Sequence, residues 1–190
     1  MPTIFSHAIF SSALGAAYAG RATAHSWPPR FWVLAGLSSV IPDFDVIAFG
    51  LGIPYRSVWG HRGITHSLLF AVLTGALLAG LAFRRQDLAE MQRSRFSLAC
   101  FFSLAIASHF VLDALTNGGL GVAWLAPFDH TRYFLPWRPI RVSPIGADFF
   151  SQYGLLVLAS EILWVWLPSL ALVLVARGFR RNTNRQHNLN

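Results

Sequence analysis

Residues of the types that bind divalent metal ions recur at four places along the chain, each beside or within an apolar run. Imidazole nitrogens and carboxylate oxygens together suit zinc, which we expect first, and also manganese or iron. The seven candidate ligands are His7, Asp43, Asp45, His61, His66, His109 and Asp113. Because a tetrahedral ion uses about four ligands, the set predicts roughly one to three ions. Sites with more than one ion occur in enzymes that hydrolyse phosphoesters.

The spacing of the carboxylates supports a shared site. His109 and Asp113 are four residues apart, so they lie on one face of a helix. Asp43 and Asp45 follow Pro42, which we expect to end a helix. Two carboxylates so close repel each other unless a cation lies between them. Each pair alone also has an ordinary interpretation, as a structural hydrogen bond or a helix cap.

The sequence from His61 to Ser67 carries several features of a site. Gly63 permits a turn that brings His61 and His66 to the same side. Arg62 presents a planar fork suited to phosphate or carboxylate, and we expect it at the mouth of the site. Thr65 is a candidate cap for the next helix, whose N-terminus would favour an anion. The alternative for Arg62 is an anchor at the membrane interface.

Glu161 is the one carboxylate well inside the last apolar stretch. A charged side chain there is costly and usually functional. We leave three roles open for it: a metal ligand, a general base, or a partner for an arginine. Asp129, His130 and Asp148 are weaker candidates because they lie in polar connections.

The elements that must position these residues are apolar helices. The chain is 54% hydrophobic and only 12% charged, against about 25% charged in a soluble domain. The apolar stretches are residues 4–20, 31–50, 66–83, 96–116 and 150–176. A membrane-spanning helix needs about 20 residues. We therefore predict an all-α membrane bundle of about five helices over residues 1–177, and a disordered tail over 178–190.

The basic residues indicate the orientation of the bundle. All fifteen are arginines. If every stretch spans, one side holds Arg21, Arg30, Arg84, Arg85, Arg93, Arg95, Arg177, Arg180, Arg181 and Arg185, and the other holds Arg56, Arg62, Arg132, Arg138 and Arg141. The richer side is expected to be cytoplasmic, together with the C-terminus. The seven candidate ligands, which this count ignores, all fall near the outer face.

Several other classes of protein are disfavoured. Cys100 is the only cysteine, so a disulfide within the chain and a cysteine-based zinc cluster are excluded. The net charge of +7 can suggest nucleic acid, but the arginines alternate with apolar runs and are interpreted as topology signals. No basic residue precedes Arg21, which favours a retained first helix over a signal peptide.

At these motifs the sequence resembles the family of membrane-bound, metal-dependent hydrolases that includes the LexA-regulated inner-membrane proteins of bacteria. The resemblance rests on His7, on Pro42 to Asp45, on the His61 to Ser67 stretch and on His109 to Asp113, and it extends from residue 4 to about residue 165. It implies an all-helical fold distantly related to the zinc-dependent bacterial phospholipases C. It also implies ligand roles for the seven residues named above.

The favoured hypothesis is hydrolysis of a phosphoester or ester bond in a lipid or lipid-linked substrate, at a site near the outer face of the cytoplasmic membrane. We assign catalytic roles to Asp43, Arg62 and Glu161. The alternatives are a metal transporter, disfavoured because the candidates cluster at one side without an inverted repeat, and a metal-stapled structural protein. The substrate and the oligomeric state are not predicted.

Overall fold

The computed structural model describes residues 1–20, 27–144 and 146–187, and this part of the chain is helical with no β-strand. The α-helices are α1 (Ile4–Ala19), α2 (Pro29–Leu37), α3 (Ile47–Gly50), α4 (Leu68–Leu81), α5 (Arg85–Glu90), α6 (Arg95–Ala114), α7 (Gln152–Glu161) and α8 (Leu167–His187). Short 3-10 segments cover Ser38–Val46, Ile64–His66 and Gly146–Phe150, and one π-helical segment covers Ile162–Trp166. The predicted all-α class is confirmed.

The helices match the predicted apolar stretches, but their lengths differ. Among the described residues, three continuous helical runs are long and apolar enough to cross a membrane: Pro29–Gly50, Arg95–Ala114 and Gln152–Gly178. The other two apolar helices, α1 and α4, have 16 and 14 residues. They are shorter than the roughly 20 residues of a typical spanning helix. The bundle therefore combines three full-length helices with two shorter ones.

Two boundaries differ from expectation. Pro42 does not end the second helical run, because it lies inside the 3-10 segment Ser38–Val46, which continues into α3. At the other end of the chain, α8 continues to His187 through the polar segment predicted to be a disordered tail. The segment contains no proline, and its arginines and glutamine are good helix formers, so a helix can continue through it. Arg21, which entered the charge count, lies outside the described residues.

Aromatic side chains hold the helices together at one end of the bundle. Phe31 of α2 contacts Trp27 at 4.2 Å and Phe101 of α6 at 5.3 Å between ring centroids. Phe102 packs against Phe83, which follows α4. These rings are almost fully buried, together with Ala19 at the end of α1. The ends of α1 and α4 and the starts of α2 and α6 therefore meet in one apolar cluster.

Helices α4 and α6 lie side by side along the bundle. Gly75 of α4 faces the backbone of Ser103 in α6, and a Cβ atom at Gly75 would lie 2.5 Å from the Ser103 amide nitrogen. Only glycine permits so close an approach. This contact sets the spacing between the helix that follows His66 and the helix that carries His109.

The connection between α6 and α7 folds back over the other end of the bundle. The amide of Leu68 donates to the Trp124 carbonyl at 3.0 Å, and the Ala123 amide donates to the Arg62 carbonyl at 3.1 Å. The amide of Leu135 donates to the Ala114 carbonyl at 3.0 Å. These bonds fix the end opposite the aromatic cluster, which is the end that carries the candidate ligands.

Candidate metal centre

Four of the predicted ligands form one buried group. Asp43, His66, His109 and Asp113 each offer a ligand atom, and these atoms all lie within 4.8 Å of one another. They come from the 3-10 segment after α2, from the residues before α4, and from the last turns of α6. Asp43 is the most exposed of the four, at 5%. Residues from three of the four clusters singled out in the sequence therefore lie together in this group.

The distances within this group fit a tetrahedral ion. Zinc ligands at about 2.0–2.2 Å from the ion lie roughly 3.3–3.5 Å from one another. His109 Nε2 is 3.0 Å from His66 Nε2, 3.3 Å from Asp43 Oδ1 and 3.8 Å from Asp113 Oδ2. His66 Nε2 is 3.7 Å from Asp43 Oδ1 and 3.4 Å from Asp113 Oδ2.

The carboxylates of this group have few ordinary partners. Within the described residues, neither oxygen of Asp43 makes a hydrogen bond, and Asp113 has an ion pair with Arg62 but no hydrogen bond to its other oxygen. Buried polar atoms are nearly always satisfied, so orphaned atoms require an explanation. A divalent cation held by these two carboxylates and by the imidazoles of His66 and His109 would supply one. The residues present therefore fit a metal ion.

Ser39 orients the imidazole of His109. The Nδ1 atom of His109 lies 2.5 Å from the Ser39 carbonyl oxygen, which can only accept. The proton is then on Nδ1, and Nε2 presents a lone pair to the group, the arrangement usual for metal-binding histidines. The Ser39 hydroxyl donates to the His7 carbonyl at 2.8 Å. Ser39 escaped the sequence analysis because a backbone acceptor has no sequence signature.

A second group lies beside the first and shares His66 with it. Its members are Asp45, His61 and His66. Asp45 Oδ1 is 2.6 Å from His61 Nδ1, and Asp45 Oδ2 is 3.1 Å from His66 Nδ1. Asp43 and Asp45 therefore face different groups instead of sharing one cation. Asp45 either holds a second ion or fixes the orientation of His66.

The carboxylates around His66 govern its protonation. Burial alone would lower the pKa of His66, but Asp113, Asp43 and Asp45 outweigh it and raise the pKa to about 10. The negative charge of the same three carboxylates also favours a divalent cation at this position.

Thr65 does not cap the following helix. Its hydroxyl donates to Asp45 Oδ2 at 2.6 Å. The cap of α4 is Ser67, whose hydroxyl accepts from the Phe70 amide at 3.1 Å.

Gly63 is required for a close approach, because a Cβ atom there would lie 2.8 Å from the Gly60 carbonyl oxygen. The left-handed conformation of this turn belongs to its neighbour, Arg62, with a φ of 61°.

His7 lies next to the four-residue group. Its ring stacks on His109 with 3.8 Å between centroids, and its Nε2 is 3.7 Å from Asp113 Oδ1. Both ring nitrogens are buried and lack a hydrogen-bond partner within the described residues. His7 thus stays a candidate for a further ligand.

Arg62 is not at the mouth of the site. Its side chain is fully buried, and Nε lies 2.9 Å from Asp113 Oδ2. One terminal nitrogen donates to the Gly118 carbonyl at 3.1 Å, and the other to the Thr116 hydroxyl at 3.2 Å. The guanidinium is therefore bound by acceptors within the protein and holds Asp113, a candidate metal ligand, in place. The sequence alone instead predicts that Arg62 binds the substrate.

Glu161 lies away from both groups. Its carboxylate accepts from the Thr3 amide at 2.6 Å, from the Thr3 hydroxyl at 2.5 Å and from the Ser6 hydroxyl at 2.6 Å. It joins the end of α7 to the start of α1, where a negative charge is favourable. None of the roles proposed for it matches this position, because hydroxyl and amide donors satisfy the carboxylate.

The weaker candidates do not join either group. Asp129 accepts from the amide and hydroxyl of Thr131 at 2.8 and 2.6 Å. His130 Nε2 lies 3.1 Å from the Pro127 carbonyl oxygen, and Asp148 is exposed in the segment Gly146–Phe150.

The fold and this site define an integral membrane protein of helices with a buried His and Asp cluster that could hold a metal ion. The chain belongs to the YdjM inner membrane protein family, whose model matches residues 1–184. It is 37% identical over 174 residues to inner membrane protein YbcI of Escherichia coli strain K12, covering 91% of this chain and 95% of that protein. No solved structure matches the chain significantly.

These comparisons confirm the resemblance to bacterial inner-membrane proteins. The names of this family and of this relative indicate neither hydrolytic activity nor a likeness to phospholipase C.

Proposed function

We propose that this protein is a metal-dependent hydrolase that cleaves a phosphoester or ester bond in a lipid or lipid-linked substrate. The observation that carries the proposal is the four-residue group, because its ligand atoms all lie within 4.8 Å of one another and the carboxylate of Asp43 has no hydrogen-bond partner within the described residues. Bound there, a divalent ion such as zinc supplies Lewis-acid polarisation of a phosphoryl or carbonyl oxygen and a more acidic water.

Within this proposal, Asp43 is the general-base candidate. It is the least buried member of the group, and its carboxylate accepts no hydrogen bond from the described residues. A carboxylate with a free oxygen can accept a proton from the attacking water. Asp113, held by the buried Arg62 guanidinium, is better suited to remain a fixed ligand.

The surroundings of the site suit a lipid substrate. Phe44 lies between the two candidate ligands of its segment and is 65% exposed, and Trp59 and Phe128 on the connecting segments are 64% and 85% exposed. Aromatic side chains are enriched where a membrane meets water. We place the site near the periplasmic face, as the arginine distribution predicts, so that a substrate's tail remains in the bilayer.

Metal analysis of the purified protein tests the first part. Wild type should hold at least one transition-metal ion, with zinc first. His66→Ala and Asp113→Ala each remove a ligand and should lower metal content at least about tenfold, since even indirect contacts contribute about 10–100-fold to metal affinity. Asp148→Ala is the matched control and should retain the metal. Full occupancy in both ligand variants would contradict the site.

Turnover of phospholipids and isoprenoid phosphates tests the second part. Metal-loaded wild type should hydrolyse at least one of them, and the metal-depleted protein none. The competing function is metal transport or a structural metal staple, which the complete burial of His66, His109 and Asp113 favours. Absence of turnover by metal-loaded protein would select these alternatives, and metal uptake into vesicles would then distinguish between them.

A further inference from the structure

A separate polar cavity of about 340 Å³ lies on the connecting segments beside the metal centre. It is lined by Arg56, Leu120, His130 and Arg132. Three of these four side chains carry or can carry positive charge, and no carboxylate is among them. Such a lining selects for an anion.

Arg132 links this cavity to the metal centre. One of its terminal nitrogens donates to the His61 carbonyl at 2.9 Å, and the other donates to the carbonyls of Tyr55 and Ser57 at 2.9 and 3.1 Å. The Tyr55 ring stacks on the His61 ring with 5.4 Å between centroids. A residue that lines the cavity is therefore hydrogen-bonded to the backbone of a member of the second metal group.

The positive charge in this cavity is not neutralised by the protein. Within the described residues, neither Arg56, His130 nor Arg132 forms an ion pair, whereas Arg62 pairs with Asp113. Arg56 is exposed and also makes no hydrogen bond within that part of the chain. The neighbouring carboxylate of Asp129 accepts from the amide and hydroxyl of Thr131 and does not line the cavity.

The exposed aromatic side chains near the cavity point to a ligand at the membrane surface. Trp59 lies three residues from Arg56, and Phe128 lies two residues from His130. Both aromatic side chains are more than half exposed. Aromatic rings that project from a membrane protein in this way sit at the depth of lipid headgroups.

We infer that this cavity binds a phosphate group, which fork-shaped arginine side chains recognise well. That this phosphate belongs to the substrate rests on the proposed function. On that basis, the cavity would hold the phosphate of a lipid headgroup while a neighbouring bond of the same lipid reaches the metal centre. The inference thereby transfers the phosphate-binding role from Arg62, which is buried and internally satisfied, to the exposed Arg56. Arg132, whose terminal nitrogens already donate to backbone carbonyls, adds positive charge to the cavity.

Binding measurements on the full-length, metal-loaded protein in detergent test the inference. The probes are short-chain phosphatidic acid and inorganic phosphate, titrated by calorimetry into wild type, Arg56→Gln and Arg138→Gln. Arg138 is the matched control, because it lies over the Phe134 ring and does not line the cavity. Arg56→Gln should weaken binding by about 10- to 100-fold, the usual effect of losing a charged hydrogen bond, and Arg138→Gln should not.

The outcomes separate this inference from the proposed hydrolysis. Equal affinities for Arg56→Gln and Arg138→Gln, with metal content and melting temperature unchanged, would overturn the cavity as a phosphate site even if lipid turnover continues. Binding that depends on Arg56 in a protein without turnover would support the cavity and reject the hydrolase. Binding of phosphatidic acid alone identifies a lipid headgroup as the source, and binding of both probes identifies the phosphate group as sufficient.

Discussion

At the scale of single residues, Arg62 connects most of the polar contacts around the centre. Its side chain contacts Asp113, Thr116 and Gly118, and its backbone amide donates to Asp45 Oδ2 at 3.1 Å. One residue thus holds a carboxylate of each metal group. Its backbone adopts a left-handed conformation, which non-glycine residues rarely do unless their surroundings enforce it.

Arg62→Lys tests this role. Lysine retains the charge but cannot reach Asp113, Thr116 and Gly118 with one planar fork. We expect the unfolding free energy to fall by about 1–3 kcal/mol, the range for a buried group left without its partner. Metal content should fall as well, because Asp113 loses its support. Thermal unfolding and metal analysis measure both, with the exposed substitution Arg85→Lys as the control.

The opposite result would restore the role that the sequence suggested. If Arg62→Lys kept its metal content and its stability while turnover dropped, the guanidinium would act on substrate. The burial of Arg62 and its three internal contacts make this the less expected outcome.

The residue types of the metal centre could be predicted from the sequence, but the partners of several residues could not. Intramembrane histidines and aspartates are rare enough that His109 and Asp113 are informative by themselves. Glu161 is equally rare, yet its partners Thr3 and Ser6 lie 158 and 155 residues away in the chain. Common hydroxyl residues at that separation give no signal, so its structural role could not be distinguished from a catalytic one.

At the scale of elements, the contact of α4 with α6 determines whether His66 and His109 meet. Gly75 lies against the Ser103 backbone, and the two histidines lie on or beside the same two helices. Any residue larger than glycine at position 75 must move one helix away from the other. The resulting displacement would act directly on the 3.0 Å separation of the two imidazole nitrogens.

Gly75→Ala and Gly80→Ala form a matched pair within α4. A Cβ atom at Gly75 overlaps the Ser103 backbone, whereas one at Gly80 meets nothing within 4 Å. Gly75→Ala should cost about 1–3 kcal/mol of unfolding free energy as an overpacked contact and should lower metal affinity. Gly80→Ala should be neutral or stabilise by up to about 1 kcal/mol, because alanine is the better helix former. Similar effects of both substitutions would show that this contact does not control the spacing.

Element type was predictable here, whereas element boundaries depended on tertiary contacts. Long apolar stretches predicted helices correctly. Pro42 was expected to end a helix, but 3-10 geometry accommodates it and carries both Asp43 and Asp45. The change from α-helical to 3-10 geometry after Leu37 was not predicted, and the hydrogen bond from Ser39 to the His7 carbonyl holds the 3-10 segment against another helix.

At the scale of the whole molecule, the arginine distribution predicts the orientation of the bundle. Position 90, in α5, should face the cytoplasm, and position 59, beside the metal centre, should face the periplasm. In a Cys100→Ala background, Glu90→Cys should react with a membrane-impermeant thiol reagent only after permeabilisation, and Trp59→Cys should react in intact cells. Labelling of Glu90→Cys in intact cells would reverse the topology and place the site at the cytoplasmic face.

The two short helices have a consequence for the membrane itself. At about 1.5 Å per residue, α1 and α4 are roughly 24 and 21 Å long, against a hydrocarbon layer of about 30 Å. Both meet the longer helices at the aromatic cluster. With that end at one boundary of the hydrocarbon layer, their other ends would stop roughly 6–9 Å short of the opposite boundary. We then expect lipids beside the centre to thin, which would bring their headgroups toward His7 and His66. Bilayer thickness thus becomes a variable that decides how easily a lipid's polar linkage reaches the centre.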